Sequence, residues 1–386
     1  MQSIPYGKHY IGKGDFKSVA QSLKSDKISD GKIVKSFEKK LRIFLNTKYV
    51  LVTSSGTAGL HLALLSINVK KKDVIIMPSI NFVAAYNMAT TLGAKVYLAD
   101  VDKMTGQMTP QTVEKCIKEK KLKRIKCIIN MYLGGSPENI TEFYNIKKKY
   151  KCFLIEDACH ALGSYSKINN KKVEIGSNKN SDISIFSFHP VKAIATGEGG
   201  CITTRSKKIF YQASKFKNHG IVRSSNHWNY DVLYNGYNYR LSDINSALGI
   251  SQLKNINSFL KKRNKIATLY KKEFKNLEPY LTLPNYDKSS YNSYHLFVIS
   301  INFQKLKKNK NTFFKHMLKK KIVCQLHYKP IYRFKIFKDK ISLNKFTNSE
   351  YYFNSAISLP NYYDLKLKEQ KFIIKKVKSF ILKNIK

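Results

Sequence analysis

Residues 184–200 have the sequence SIFSFHPVKAIATGEGG, and no other segment carries more information about the architecture of this chain. A short run typical of a buried strand leads into a Gly-rich turn, and an apolar run resumes after Gly200. Lys192 lies on that turn, after a hydroxyl residue and a histidine, among neighbours that are small or apolar. Such surroundings desolvate an amine and lower its pKa, as a lysine that forms a Schiff base with an aldehyde requires. Lys192 is therefore predicted to be reactive, because these neighbours argue against an ordinary surface lysine.

Short apolar runs alternate with helix-length segments before this turn. Continuous apolar strands between helices predict a mostly parallel central sheet covered on both faces, which places the chain in the α/β class. Ligands of such sheets bind beyond the carboxyl ends of the strands, so the residues that follow each strand are the candidates for a site. The predicted strands are residues 49–53, 74–77, 95–99, 125–131 and 153–156, and residues 58–66 are predicted to form the helix after the first strand.

The pattern changes to long helices around Leu241. Beyond Pro284 it predicts strands over residues 297–301 and 324–327, and a closing helix that begins at about Leu367. This mixture is typical of a smaller C-terminal α+β domain, since 386 residues exceed one ordinary core. The predicted divisions are an N-terminal segment across the mouth of the active site (1–30), a large ligand-binding domain (31–255) and a small domain (256–386).

Residues 53–58, TSSGTA, form a small polar turn that enters a helix. Backbone N–H groups at a helix start, together with hydroxyl groups, make an anion cup that suits a phosphate. A hydroxyl N-cap would have the same sequence, so both interpretations stay open on this segment alone. The sequence contains neither G-x-x-x-x-G-K-[ST] nor a strand-placed G-x-G-x-x-G, so sites for nucleoside triphosphates and dinucleotides lack support.

Asp157 follows an apolar strand directly and is expected at its carboxyl end. A buried aspartate needs a partner there. A protonated pyridine nitrogen would be a suitable one, because the pair keeps the ring an electron sink. A metal site, or a structural pair of Asp157 with His160, stays an alternative on this segment alone.

The formal net charge of +45 is the unusual feature of the composition. It suggests a nucleic-acid module as an alternative, but the lysines are spread along the whole chain and no recognition motif is present. A positive field that attracts an anionic substrate is the preferred interpretation. No apolar run approaches the roughly 20 residues of a membrane helix, and a signal-peptide core is missing, so a cytoplasmic protein without membrane contact is expected. The six cysteines lack C-x-x-C spacing, so free thiols and no metal site are expected.

Four motifs in order resemble the sugar aminotransferases of the DegT/DnrJ/EryC1/StrS group, over essentially the whole chain. They are SSGTAGLHLAL (54–64), EDACHA (156–161), SFHPVKAIATGEGG (187–200) and GYNYRLSDINSALGISQLK (236–254). The resemblance implies the type I fold of pyridoxal-phosphate-dependent transferases, pyridoxal 5′-phosphate (PLP) as cofactor, and a homodimer whose active sites draw on both subunits. PLP-dependent sugar dehydratases share this fold, but a histidine replaces the lysine in that branch, and Lys192 is present here.

The same resemblance implies roles for individual residues, beginning with Lys192 as the lysine that carries PLP covalently. Asp157 would pair with the protonated pyridine nitrogen, and His160 would lie near the 3-oxygen of the cofactor. These three are the predicted catalytic residues. The other implied cofactor contacts are Gly56, Thr57 and Ser187 at the phosphate, Phe82 stacked on the ring, and Asn238, which would reach across to the phosphate in the partner subunit.

One branch of the group is more similar than the others, through segments at both ends of the chain. This branch transfers the amino group of L-glutamate to C4 of a UDP-linked 4-keto-6-deoxy-N-acetylhexosamine in the synthesis of pseudaminic acid. Residues 29–31 are SDG where the branch has TQG, so contacts there are expected to run largely through the backbone. The implied substrate contacts are Tyr6, Asp26, Lys27, Ile28, Ser29, Gln325, Leu326, His327 and Tyr328. The alternatives are an aminotransferase for another nucleotide 4-keto-6-deoxy sugar, of the bacillosamine, legionaminic or perosamine type, and a non-catalytic PLP-binding homologue.

Overall fold

Strands and helices alternate along most of the chain, of which the computed structural model describes residues 3–223, 228–340 and 346–385. The helices are α1 Lys13–Ser22, α2 Lys32–Phe44, α3 Gly56–Ser66, α4 Ala84–Thr91, α5 Pro110–Glu119, α6 Ile140–Tyr150, α7 Lys207–Lys217, α8 Asp243–Lys254, α9 Ile256–Phe274, α10 Lys310–Lys319, α11 Thr347–Ser355 and α12 Leu367–Asn384. The strands are β1 Tyr49–Thr53, β2 Val74–Pro78, β3 Lys95–Ala99, β4 Cys127–Met131, β5 Phe153–Asp157, β6 Tyr165–Ile168, β7 Lys171–Glu174, β8 Ile183–Ser187, β9 Gly200–Thr204, β10 Ile221–Arg223, β11 Tyr230–Val232, β12 Leu281–Thr282, β13 Ser290–Tyr291, β14 Phe297–Ile301 and β15 Ala356–Leu359. None of the described helices is both long enough and apolar enough to cross a membrane.

The largest element of the fold is a seven-stranded sheet with the order β1-β9-β8-β5-β4-β2-β3. Strand β9 runs antiparallel to both of its neighbours, and the other pairings are parallel. The link between β8 and β9, residues 188–199, contains no helix, whereas neighbouring parallel strands are usually joined by a helical crossover. Helices α3, α5, α6 and α7 pack against the strands. The predicted α/β class with a mostly parallel sheet is confirmed.

The strands of this sheet are apolar because both of its faces are covered. Strand β4 is buried at every position. Helix α3 is buried on nearly all sides, and its leucines pack into the same apolar cluster as Ile129 and Ile185 of the sheet. This packing fixes the first turn of α3 beside the carboxyl ends of the strands, which is where a ligand is expected.

A second apolar cluster surrounds the three-stranded sheet β12-β14-β15 and includes residues of α9, α10 and α12. The predicted strand over residues 297–301 and the predicted closing helix from Leu367 are confirmed as β14 and α12. The predicted strand over residues 324–327 is wrong, since only Gln325 pairs, with Ser358 of β15. The ladder stops there because the chain turns to the wall of a cavity at residues 327–328. The domain boundary near residue 255, between α8 and α9, stays a prediction.

The first described residues contact both parts of the fold. Ile4 forms a bridge with Ile322. Helix α1 packs against α8, where the side-chain amide of Gln252 donates a hydrogen bond of 2.7 Å to the buried carboxylate of Asp15. These two attachments hold the chain between them, which includes Tyr6, in a defined path along the protein.

Candidate active site

A cavity of about 420 Å³ lies at the carboxyl-terminal edge of the large sheet. Met131, Asp157 and Ser187, the last residues of β4, β5 and β8, line it, so it occupies the place that parallel sheets offer to ligands. Residues from distant parts of the sequence share this wall. The structure brings together ten predicted site residues there: Tyr6, Gly56, Thr57, Phe82, Asp157, His160, Ser187, Lys192, His327 and Tyr328.

The first turn of α3 forms one end of the cavity. The hydroxyl of Ser55 caps the helix by accepting a hydrogen bond of 3.0 Å from the N–H of Ala58. The N–H groups of Gly56 and Thr57 lie in the first turn of the helix, where no earlier turn supplies a carbonyl acceptor, so they are available to an anion. A β-carbon added at Gly56 would lie 3.0 Å from Cβ of Ser187, so glycine lets the first turn of α3 approach the end of β8 closely. The N-cap and the phosphate cup are therefore compatible interpretations of this segment.

Asp157 is a buried carboxylate with few protein partners. It is 3% exposed, and its Oδ1 accepts a hydrogen bond of 3.3 Å from the N–H of Cys159. Burial raises the pKa of the Asp157 carboxyl, while the contacts with Cys159 and the charge of Lys192 act against that rise. In the described part of the chain, no group of three or more His, Cys, Asp and Glu side chains is arranged to hold a metal ion. A cationic ring N–H is a partner that this carboxylate could hold.

Lys192 lies in the loop that joins β8 to β9. Its N–H donates a hydrogen bond of 2.8 Å to the carbonyl of His189, and the guanidinium of buried Arg263 donates to the neighbouring carbonyl of Val191 at 3.5 Å. Burial lowers the pKa of the Lys192 amine; the nearby Cys159 and Asp157 act against that fall, and the charge of Arg263 adds to it. A lowered pKa increases the fraction of free amine, which is the form that attacks a carbonyl.

The first turn of α3, Asp157 and Lys192 match three polar groups of PLP. The first turn of α3 with Ser187 suits the phosphate, Asp157 suits the ring nitrogen, and Lys192 suits the aldehyde. Since all of them line one cavity, the residues present fit this cofactor.

His160 forms the floor of the cavity with a hydrogen-bonded partner at each ring nitrogen. Its Nδ1 lies 3.3 Å from the backbone nitrogen of Gly134, and its Nε2 lies 3.0 Å from Oη of Tyr328. Burial holds the pKa of His160 well below its ordinary value, and the nearby Lys192 and His327 act in the same direction. The imidazole is therefore neutral.

Aromatic side chains form a wall of the cavity next to His160. The ring centroids of Tyr6 and His327 are 5.3 Å apart, and those of Phe82 and Tyr328 are 5.7 Å apart. Nδ1 of His327 lies 2.9 Å from Oγ of Ser358, and burial lowers the pKa of His327 to about 3. This wall therefore offers flat faces and neutral polar groups to a ligand.

Seven predicted site residues do not line the cavity of the single chain. Residues 26–29 are exposed, and their position is fixed where the carbonyl of Ile28 accepts a hydrogen bond of 2.9 Å from the N–H of Asp243. Asn238 is also exposed and forms a bridge with Asn218. The roles of these residues stay predictions: Asp26, Lys27, Ile28, Ser29, Asn238, Gln325 and Leu326.

The residues at or behind the cavity wall that the sequence analysis missed include His295, Arg263 and Cys159. His295 is buried, lines the cavity, and its ring centroid is 4.2 Å from that of His160. Arg263 donates to the carbonyls of His295 at 3.2 Å and of Asn361 at 2.6 Å. Neither belongs to a strand-end motif, so no local signal distinguishes them from structural residues. Cys159, which also lines the cavity, lies within EDACHA and could have been inferred from its neighbours.

Comparisons of the sequence and of the structure with known proteins both find sugar aminotransferases. Residues 9–378 match the DegT/DnrJ/EryC1/StrS aminotransferase family. The chain is 36% identical over 372 residues to the UDP-4-amino-4,6-dideoxy-N-acetyl-beta-L-altrosamine transaminase of Campylobacter jejuni subsp. jejuni serotype O:23/36 (strain 81-176), with 96% of this chain and 95% of that protein covered. Helicobacter pylori PseC, an aminotransferase involved in the biosynthesis of pseudoaminic acid, is similar with a TM-score of 0.88 and 29% identity, covering 100% of this chain and 99% of that one. The apo form of Spr1654 from Streptococcus pneumoniae is similar with a TM-score of 0.91 and 25% identity, covering 99% and 98%.

The family match spans nearly the whole chain and agrees with the cavity at the sheet edge. Aminotransferases of this family depend on PLP, so the predicted cofactor, fold type and enzyme class are confirmed. The chain belongs to the DegT/DnrJ/EryC1/StrS family, and it is a PLP-dependent sugar aminotransferase.

Proposed function

We propose that this enzyme transfers the amino group of L-glutamate to C4 of a UDP-linked 4-keto-6-deoxy-N-acetylhexosamine. The product would be UDP-4-amino-4,6-dideoxy-N-acetyl-β-L-altrosamine, for pseudaminic acid biosynthesis. The observation that carries this proposal is the meeting of Tyr6 with His327 and Tyr328 at the cavity that contains Lys192. The similarity to the Campylobacter jejuni transaminase and to PseC supports the same substrate.

Lys192 is the residue that we assign to proton transfer. Bound PLP supplies an electron-withdrawing ring that weakens the bond to be broken. Nζ of Lys192 removes the proton from Cα of the amino donor in the first half-reaction, and it delivers a proton to C4 of the sugar in the second. The pKa of this amine is lowered by burial, so more of it can accept a proton near neutral pH.

The other assigned residues bind and orient the cofactor. Asp157 keeps the ring nitrogen protonated, because a buried carboxylate is stabilised by a cation beside it. Gly56, Thr57 and Ser187 hold the phosphate at the first turn of α3. Phe82, whose side chain is half exposed at the cavity, covers one face of the ring.

A homodimer completes the site in this proposal. Asn238 is exposed and absent from the wall of its own cavity, which suits a contact with the phosphate in the partner subunit. Ser29 forms a bridge with Ser242, which is four residues after Asn238 in the sequence. The side chains of residues 26–29 are exposed, so they can contact a second subunit or the UDP-sugar. The homodimer therefore accounts for predicted residues that the single chain leaves outside the cavity.

The proposed substrate contacts form a neutral group and a positively charged group. Tyr6, His327 and Tyr328 form a neutral wall, which suits the uracil and the sugar ring. His327 contributes no positive charge, so the diphosphate depends on cations such as Lys27. Gln325 and Leu326 lie next to this wall in sequence, and we assign them contacts through the backbone.

The choice of sugar is tested with two epimers that share the nucleotide. The 4-keto-6-deoxy sugars of the L-arabino and D-xylo configuration, each made in situ by its dehydratase, are supplied with L-glutamate to the PLP-loaded enzyme. We expect kcat/KM for the L-arabino epimer to be higher by about 100-fold or more, because a misplaced hydroxyl leaves buried polar groups unpaired. The position of the amine in the product is read by NMR. A preference for the D-xylo epimer would refute this substrate while leaving the aminotransferase class in place.

A further inference from the structure

A chain of two hydrogen bonds connects the backbone at Gly134 to the cavity. The N–H of Gly134 lies 3.3 Å from Nδ1 of His160, and Nε2 of His160 lies 3.0 Å from Oη of Tyr328. A backbone N–H can only donate, so Nδ1 of His160 must accept. A neutral imidazole carries one proton, which is then on Nε2. Nε2 therefore donates to Oη of Tyr328.

His160 has no route to a second proton in this position. Its side chain is 2% exposed, its ring packs against His295 at 4.2 Å, and Nδ1 is occupied by a donor. Burial and the nearby Lys192 and His327 hold the pKa of His160 well below its ordinary value. The imidazole thus stays neutral, and the direction of both hydrogen bonds is fixed by the backbone.

The hydroxyl of Tyr328 consequently accepts from His160 and keeps its own proton for another acceptor. Within residues 3–223, 228–340 and 346–385, His160 is the only hydrogen-bond partner of this hydroxyl. Burial and the charge of Asp157 raise the pKa of Tyr328 well above its ordinary value, so the proton is retained. The ring of Tyr328 lies near those of Phe82 and His327, with centroids 5.7 Å and 5.0 Å away. All three residues line the cavity that contains Lys192, so the hydroxyl proton of Tyr328 is available inside that cavity.

We propose that Oη of Tyr328 is a hydrogen-bond donor of fixed direction that recognises the C4 oxygen of the keto-sugar, and that His160 is the positioning residue that sets this direction. The proposal rests on the proposed function for the identity of the sugar. A ketone oxygen can only accept, so it matches the hydroxyl proton. The amine that replaces it is an ammonium when protonated and has no lone pair to offer. The same donor therefore favours the keto-sugar over the protonated aminated product.

The test uses variants of both residues in the PLP-loaded enzyme. Tyr328→Phe removes the donor, and we expect the rate constant of the sugar half-reaction to fall by about 100-fold. The rate constant of the glutamate half-reaction should fall much less, because the C4 oxygen takes no part in it. Stopped-flow absorbance measures each half-reaction separately, and thermal melting shows whether each variant is folded.

His160→Gln and His160→Glu form a matched pair, in which only the glutamate reverses the direction of the hydrogen bond to Tyr328. A glutamine can accept from Gly134 with its oxygen and still donate to Tyr328 with its nitrogen. A glutamate can only accept, so it draws the proton of Tyr328 away from the cavity. We expect His160→Glu to slow the sugar half-reaction about as much as Tyr328→Phe, and His160→Gln to slow it less. In the Tyr328→Phe background, the two His160 variants should have equal rate constants for the sugar half-reaction. This comparison separates the direction of the hydrogen bond from the added negative charge of glutamate.

Three results would overturn the inference. An equal loss in both half-reactions of Tyr328→Phe would mean that the hydroxyl serves the cofactor. An unchanged sugar half-reaction would mean that it serves no reacting group. A nitrogen-15 NMR spectrum of histidine-labelled holoenzyme that places the proton of His160 on Nδ1 would contradict the direction of the chain without any substrate. If the wild type consumes glutamate but no UDP-keto-sugar, the proposed function fails, and the NMR result still decides the direction.

Discussion

Gly56→Ala tests whether the first turn of α3 binds the cofactor phosphate. The added Cβ would lie 3.0 Å from Cβ of Ser187 and 3.3 Å from Sγ of Cys159. Non-bonded carbon atoms prefer about 3.5–4.0 Å, so the turn or its neighbours must move by several tenths of an ångström. Overpacking of this kind costs about 1–3 kcal/mol. The higher helix propensity of alanine offsets at most about 1 kcal/mol of that.

The larger effect is expected on PLP affinity, because the methyl group would push Gly56 and Ser187 apart, and both are predicted phosphate contacts that line the cavity. We expect the Kd of the apoenzyme for PLP to rise by about 10- to 100-fold, which corresponds to about 1.4–2.7 kcal/mol. A fluorescence titration of apoenzyme with PLP measures the Kd, and urea unfolding of the same sample measures the free energy of unfolding.

Gly59→Ala is the matched control, one turn further along α3. Its Cβ would meet Cγ2 of Ile185 at 3.1 Å, so the overpacking is similar, but it faces the sheet and lies outside the cavity wall. We expect a comparable loss of unfolding free energy and an unchanged Kd for PLP. The reasoning is refuted if Gly56→Ala binds PLP as tightly as the wild type, or if both variants lose affinity equally.

Four further predictions concern the cofactor site and its surroundings. Lys192→Ala should still bind PLP through the phosphate but lose turnover by orders of magnitude, and borohydride should no longer fix the cofactor on the peptide that contains residue 192; labelling of another lysine in the wild type would contradict the assignment. Asp157→Asn should fold normally and lose most of the glutamate half-reaction, since the charge beside the ring nitrogen is removed; near wild-type rates in stopped flow would show that the charge is dispensable. Subunit exchange between Lys192→Ala and Asn238→Asp proteins should restore part of the activity, because one site of the mixed dimer carries neither change; proven exchange without recovery would place the site in one chain. Burial lowers the pKa of His327 to about 3, below its ordinary value of about 6.5. The stabilisation that neutral His327 contributes is therefore complete above pH 6.5. It is lost as the pH falls towards 3, by about 1.4 kcal/mol of unfolding free energy per pH unit. Urea unfolding at pH 7, 6 and 5 should therefore show a shallower loss for His327→Gln, and identical slopes would count against a neutral buried His327.

The sequence predicted the parts of the site that depend on local patterns. Asp157 and Ser187 end apolar strands, and Lys192 follows one on a Gly-rich turn, so the α/β pattern alone places them at one sheet edge. The antiparallel direction of β9 was not anticipated, because only the pairing with β1 and β8 shows it. Each of the three predicted positions is defined by the end of one apolar strand, which is why local reasoning succeeds for them.

Prediction was weaker where distant segments meet. Arg263 and His295 reach the site through packing of the C-terminal part, and their own neighbours in sequence contain no periodic or turn signal for it. The segment before Tyr328 has the composition of a strand, yet it leaves the sheet after Gln325 to reach the cavity. Asn238 was placed by family resemblance alone, and a single chain leaves it exposed. Long-range packing decides the first two features and a second subunit is proposed for the third, and neither is encoded in local spacing.

The contacts of Arg263 have a consequence for the synthesis of the protein. Its guanidinium connects carbonyl groups at Val191, His295 and Asn361, which lie in segments that leave the ribosome at very different times. Arg263 donates to Val191 in the loop that carries Lys192, and it also donates to the carbonyl of Asn361. Until residue 361 has emerged, Arg263 lacks this second contact. We therefore expect the loop of Lys192 to reach its final position only when the chain is almost complete. A fragment that ends before β15 would contain every motif at the sheet edge but lack the carbonyl of Asn361 that Arg263 contacts.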